Sequence, residues 1–112
     1  MNDIHQIISE LRQFRNERDW EQFHDSKNLA TAISIEAAEL NELFLWKSIQ
    51  ESENVDKSKI QDELADVFAF CFLLADKHNF DVKEIVLNKI KKNSIKYPIC
   101  KSKGTARKYT DL

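Results

Sequence analysis

The chain contains a single proline and a single glycine, and both, Pro98 and Gly104, lie behind the last helical pattern. These residues are the strongest local interrupters of a helix. Ahead of Pro98, therefore, only polar linkers separate helices, and almost no strand is expected. Apolar residues at helical spacing (Ile4, Ile7, Ile8, Leu11, Phe14) outline a first helix from about Asp3 to Asp19. After a connector, Trp20 to Lys27, a second helix capped by Ser26 or Asn28 runs to about Lys47. Ser48 to Lys57 reads as a polar loop and Ser58 to His78 as a third helix. Asp81-x-x-Glu84, a capping-box pattern, opens a fourth that ends before Pro98. The spacing predicts an all-α protein of the four-helix-bundle kind. With 112 residues it forms one domain, read as a helical domain over 1–98 and a basic tail over 99–112.

The third helix leaves no polar face from Val67 through Ala75. A helix apolar all round is buried all round, and so short a bundle cannot enclose one of its own members. A second copy of the chain is expected to cover it, as a homodimer or a dimer of dimers. Cys71 lies within this run, and neither Cys71 nor Cys100 has CxxC spacing. Cys71 is expected to be a small buried hydrophobe rather than a disulfide or zinc ligand.

Two acidic pairs carry the chemistry: Glu36/Glu39 in Glu-Ala-Ala-Glu and Glu63/Asp66 in Glu-Leu-Ala-Asp. Residues three apart share one helix face, so each pair is half of a converging site. Glu36 falls inside the stripe of Leu29, Ala32, Leu40 and Leu43, and Glu63 shares a face with Ile60, Val67 and Leu74. Carboxylates aimed at a core must be protonated, paired with bases or neutralised by cations. Neither helix supplies internal Lys or Arg partners, so the four acids are read as divalent-metal ligands rather than solvated helix faces. A net charge of −2 hides a division, with 8 basic and 17 acidic groups over residues 1–82 against 9 and 2 over 83–112. Phosphate between an acidic metal site and a basic C-terminal region satisfies both, which favours a small phosphorylated ligand. With no charged-then-apolar signal segment and no apolar run near the length of a membrane span, a soluble, cytoplasmic protein with no membrane partner is expected.

Several blocks together resemble the MazG-like all-α nucleoside triphosphate pyrophosphohydrolases, most closely the dCTP pyrophosphatase branch. They are Arg18-Asp19-Trp20-Glu21-Gln22-Phe23-His24, Lys27-Asn28-Leu29, Glu36-x-x-Glu39-Leu40 leading to Phe44-Leu45-Trp46-Lys47, Glu63-Leu64-x-Asp66-Val67, Asn93-x-x-Lys96-Tyr97-Pro98 and Arg107-Lys108-Tyr109-Thr110. The resemblance implies hydrolysis of a (deoxy)nucleoside triphosphate to the monophosphate and pyrophosphate, in the clearance of excess or noncanonical nucleotides. It implies Mg²⁺, with Mn²⁺ able to substitute, held by Glu36, Glu39, Glu63 and Asp66. That ion suits oxygen ligands and substrate phosphates, and water would attack the α-phosphorus in line with pyrophosphate leaving. Which carboxylate takes the water's proton is open in the sequence; Glu39 is assigned that role. By resemblance Trp20, Glu21, Gln22, Phe23, His24, Lys27, Trp46 and Phe70 contact the nucleotide, Trp46 by sharing a helical stripe with Glu39. Lys89, Asn93 and Lys96 on one side of the fourth helix are assigned to the phosphates, and Arg107, Lys108 and Tyr109 either close over the site or form a disordered tail. Departures from the family's pattern are Phe70 where relatives often carry Tyr, Leu11 where some carry His, and Ala38 in place of a frequent Gly.

Two other classes compete. A ferritin-like di-iron site wants two E-x-x-H motifs, and only Glu21-x-x-His24 is present. A non-catalytic nucleotide-binding or interaction module with the same fold would keep the helices without the acids, whereas all four acids are here. Nucleic-acid binding by the basic tail lacks a recognisable motif and is not expected.

Overall fold

The computed structural model describes residues 2–112, and all regular structure among them is helical. Helix α1 (Asp3–Glu17) begins where the Asn2 side chain accepts the His5 N–H at 2.8 Å, with Asp3 at the positive end of the helix dipole. It ends as Asp19 enters the left-handed region at φ 55°, a conformation Asp tolerates, while the Trp20 N–H returns to the Arg15 carbonyl at 3.0 Å. One 3₁₀ turn, Glu21–Phe23, follows.

Helix α2 (Ser26–Glu42) is capped by Asp25, not by Ser26 or Asn28; its carboxylate accepts the Asn28 N–H at 2.7 Å. The helix also stops five residues short of the expected Lys47. The N–H groups of Leu43, Phe44 and Leu45 bond three residues back, to Leu40, Asn41 and Glu42, so the coil tightens into turns, and Trp46 then takes a left-handed φ of 62°. The supposed polar loop contains a one-turn helix, α3 (Ile49–Ser52), held by a reciprocal capping box between Ser48 and Glu51. Helix α4 (Lys57–Lys77) starts at Asp56 and ends at His78.

The chain divides into two compact units, the first ending at Asn79 and the second spanning Phe80–Leu112. In the first, α2 packs along α4 and α1 against α4. Leu29 and Leu73 line one cleft while Glu36 and Glu63 meet in one cluster, so α2 and α4 run antiparallel. The buried core is Ile8, Leu29, Leu73 and Ala75. Opposite Leu73 on α4, Leu64, Phe68 and Cys71 form an exposed stripe. Cys71 is thus not buried within the single chain.

In the second unit, α5 (Val82–Lys96) opens at Asp81, whose carboxylate accepts the Glu84 N–H at 2.9 Å, as the sequence pattern predicts. Pro98 then begins a short α6 (Ile99–Ser102), and Gly104 turns the chain at φ 79°. A 3₁₀ turn at Tyr109–Asp111 sets the Tyr109 ring edge-on to Tyr97 at 5.9 Å and beneath the Lys96 ammonium at 4.9 Å. Among the described residues no helix is long and apolar enough to cross a membrane.

Trp46 bears the least comfortable backbone in the first unit, since a bulky residue at positive φ costs on the order of 1–2 kcal/mol. Its side chain is 93% exposed and returns nothing to the core. Trp46→Gly should therefore be more stable than Trp46→Ala by about 1 kcal/mol in urea denaturation, because both remove the indole and only glycine relieves the backbone. Equal midpoints for the two variants would contradict this.

Candidate metal centre

The antiparallel pairing of α2 and α4 brings the two acidic pairs together. One carboxylate oxygen from each of Glu36, Glu39 and Glu63 lies within 4.8 Å of the others. Asp66 stands outside that trio, but its charge reaches both Glu36 and Glu63. Glu36 and Glu63 are half-buried, and each turns one oxygen, Oε2, inward with no hydrogen-bond partner. Glu39 and Asp66 are exposed at the mouth. None of the four pairs with a base among the described residues.

The electrostatics follow. Burial, the hydrogen bond shared with Glu39 and the charges of Glu39, Asp66 and Glu63 push Glu36 from 4.5 up to about 7. Glu63 is raised by burial and then by the charges of Glu39 and Asp66. Like charges at this spacing resist joint ionisation unless a cation joins them. Orphaned inward oxygens and an all-oxygen donor set free of thiol and imidazole fit a hard divalent ion. The absence of histidine from the cluster argues against the di-iron reading.

A raised carboxyl binds more protons in the folded than in the unfolded state between its two pKa values. The contribution of Glu36 to the stability of the metal-free protein is therefore fully present below 4.5 and declines as pH rises towards about 7. Thermal melting in chelator should show this decline in wild type and much less of it in Glu36→Gln, and added divalent cation should remove it. A wild-type profile parallel to that of Glu36→Gln would contradict it.

Beyond Asp66 along α4, the ring of Phe70 meets His24 edge-on at 6.3 Å. His24 Nδ1 is buried without a partner, and burial, then Arg15, depress its pKa, so the ring is neutral near pH 7. The preceding residue, Phe23, is tied to α2 by Asn28, whose side-chain amide donates to the Phe23 carbonyl at 3.0 Å. Trp20 packs edge-on to Phe14 at 5.7 Å, and the Gln22 amide donates to Asp19. Glu21, Phe23 and Lys27 are exposed around the same connector. Next to His24 a polar cleft of about 360 Å³ is walled by Arg12, Arg15, Glu21 and Asp76 over the apolar floor of Leu29 and Leu73.

Trp46 is not on a helical stripe with Glu39, because α2 has ended by Glu42; it borders a separate cleft with Ala38, Asn41 and Leu45. Lys89, Asn93, Lys96, Arg107, Lys108 and Tyr109 all belong to the second unit, where they are exposed. Arg15 and Asn28 were not singled out as site residues by sequence. A signal existed for Arg15, which follows buried Ile8 by seven residues and so shares its stripe.

An all-α unit whose paired helices bring three carboxylates together, with a fourth beside them and a polar cleft close by, is suited to holding a divalent cation. The chain belongs to the MazG-like family, whose model matches residues 31–112. It is 39% identical over its full length to dCTP pyrophosphatase 1 of Rattus norvegicus, covering 67% of that protein, and 37% identical to the Homo sapiens protein of the same name, with the same coverage. A pyrophosphatase from Archaeoglobus fulgidus has the same fold, with a TM-score of 0.83 at 38% identity over 88% of this chain and 94% of the other.

Proposed function

We propose that this chain hydrolyses a deoxynucleoside triphosphate, dCTP or a close relative of it, to the monophosphate and pyrophosphate. The observation that carries the reading is the Glu36–Glu39–Glu63 cluster with its two partnerless inward oxygens, in a chain of this family. Glu36, Glu39, Glu63 and Asp66 would hold Mg²⁺, or Mn²⁺ in its place, and the bound ion would supply charge neutralisation at the phosphates and a more acidic water. Glu39, the exposed member of the trio, takes the proton of the attacking water. Half-buried Glu36 and Glu63 hold their charge inward. Trp20, Glu21, Gln22, Phe23, His24, Lys27, Trp46 and Phe70 receive the nucleoside. Lys89, Asn93, Lys96, Arg107, Lys108 and Tyr109 are further substrate-binding residues in this reading.

The working form is a homo-oligomer, a dimer or a dimer of dimers. The exposed α4 stripe of Leu64 and Phe68, with Ile7 on α1 also uncovered, supports a second copy as its cover. The protein acts in the cytoplasm on free nucleotides, with no nucleic acid or membrane as partner.

The test is incubation of purified protein with Mg²⁺ and each dNTP and NTP in turn, followed by separation of products. Monophosphate and pyrophosphate in equal amounts, fastest from dCTP, are expected. Diphosphate plus phosphate, or no turnover by a folded oligomer, would contradict the reading.

A further inference from the structure

The polar cleft beside His24 contains a guanidinium that the fold leaves incompletely used. Arg15 has a side chain only 12% exposed, yet among the described residues its one hydrogen bond runs from Nε to Asn16 Oδ1 at 3.0 Å. Its nearest acid, Glu21, is 70% exposed and 3.7 Å from Nη2, beyond hydrogen-bond length. The neighbouring Arg12 differs. It forms a two-pronged pair with Asp76, Nε to Oδ2 at 2.9 Å and Nη2 to Oδ1. Arg15 lines the cleft with its stem largely covered, so its terminal N–H groups are placed to meet a ligand that brings acceptors into it.

The position of the cleft says which part of a ligand that is. Leu29 precedes Glu36 by seven residues on α2, and Leu73 follows Asp66 by seven on α4. The cleft floor therefore lies about 10 Å along the helix pair from the carboxylates. Between the two stand Phe70 and His24 in edge contact. A nucleotide with its phosphates at the carboxylates spans this interval and delivers its base to Arg15.

A guanidinium offers donors only, in a planar fork suited to two adjacent acceptors. Cytosine presents such a pair in O2 and N3; uracil and thymine do not, because their N3 carries hydrogen. We infer that Arg15 is a specificity-determining residue that reads the O2/N3 edge of a cytosine base and so separates dCTP from dUTP. The inference rests on the proposed hydrolysis of a deoxynucleoside triphosphate.

The experiment is steady-state kinetics of the full chain with dCTP, dUTP and the 3-deaza analogue of dCTP, for wild type, Arg15→Gln and Arg15→Lys. Arg15→Gln should raise KM for dCTP about tenfold or more, keep kcat within about twofold and leave KM for dUTP unchanged, as expected for loss of a bidentate contact. Arg15→Lys, which keeps charge without the fork, should not restore dCTP preference. Wild type alone should handle the 3-deaza analogue as poorly as dUTP, a readout that survives if Arg15→Gln fails to fold. An unchanged dCTP/dUTP ratio in Arg15→Gln, or equal losses on both nucleotides, would overturn the assignment, as would full activity on the 3-deaza analogue. No hydrolysis of any nucleotide by wild type would instead remove the proposed function beneath it.

Discussion

Replacing Glu39 by glutamine should lower turnover by about a hundredfold or more while leaving the helices in place, the loss typical for removal of a positioned general base. The substitution keeps volume, replaces one acceptor oxygen by an amide donor and removes the charge, and with it both the ability to take a proton and a carboxylate ligand for the metal. Glu39 is exposed, so no packing depends on it. Its negative charge and its hydrogen bond are, after burial, the two largest causes that raise Glu36. The same change should therefore lower the pKa of Glu36, and the decline in metal-free stability with rising pH should flatten. Circular dichroism and nucleotide turnover together check the prediction. Wild-type turnover by Glu39→Gln would remove its assigned role.

The largest effect on stability should come from Leu29→Ala. Leu29 is the largest side chain fully buried in the chain, 2% exposed, and lies between α2 and α4 at the floor shared with Leu73. Truncating a fully buried leucine costs about 2–5 kcal/mol, by lost transfer energy and by the cavity left behind. That is a large fraction of the roughly 5–15 kcal/mol that stabilises a typical domain. Among the described residues the buried core is Ile8, Leu29, Leu73 and Ala75, so few neighbours can collapse into the gap. Ile35→Ala, at a position 53% exposed on the same helix, should cost far less in the single chain. Denaturant midpoints at equal protein concentration compare the two, and a smaller loss for Leu29→Ala than for Ile35→Ala would contradict this account of the core.

The helices were largely legible because their signals are local. Asp81 and Glu84 announced the start of α5, and Pro98 its end. Ser48-x-x-Glu51 carries an equally good start signal, but the polar residues around it masked a helix of one turn. The end of α2 was not legible: it has no Gly or Pro marker, and the chain reverses through a left-handed tryptophan, a conformation that side-chain chemistry does not advertise. The error carried into the site, since the stripe that joined Trp46 to Glu39 required four more helical residues.

The acidic pairs could be read as converging because helical spacing and an apolar stripe are both properties of the sequence. That Glu36, Glu39 and Glu63 draw closest while Asp66 stands aside depends on the register between α2 and α4, which spacing within one helix does not determine. The polar cleft was hidden for the same reason. Arg12 and Arg15 come from α1, Glu21 and His24 from the connector and Asp76 from α4, and only tertiary packing assembles them.

The most direct measurement is turnover of dCTP with Mg²⁺ in isotopically heavy water, followed by mass analysis of both products. Attack at the α-phosphorus, as the carboxylate cluster and the family predict, places one heavy oxygen in the monophosphate and none in pyrophosphate. Heavy oxygen in pyrophosphate, or turnover undiminished when chelator removes the divalent ion, would contradict the account.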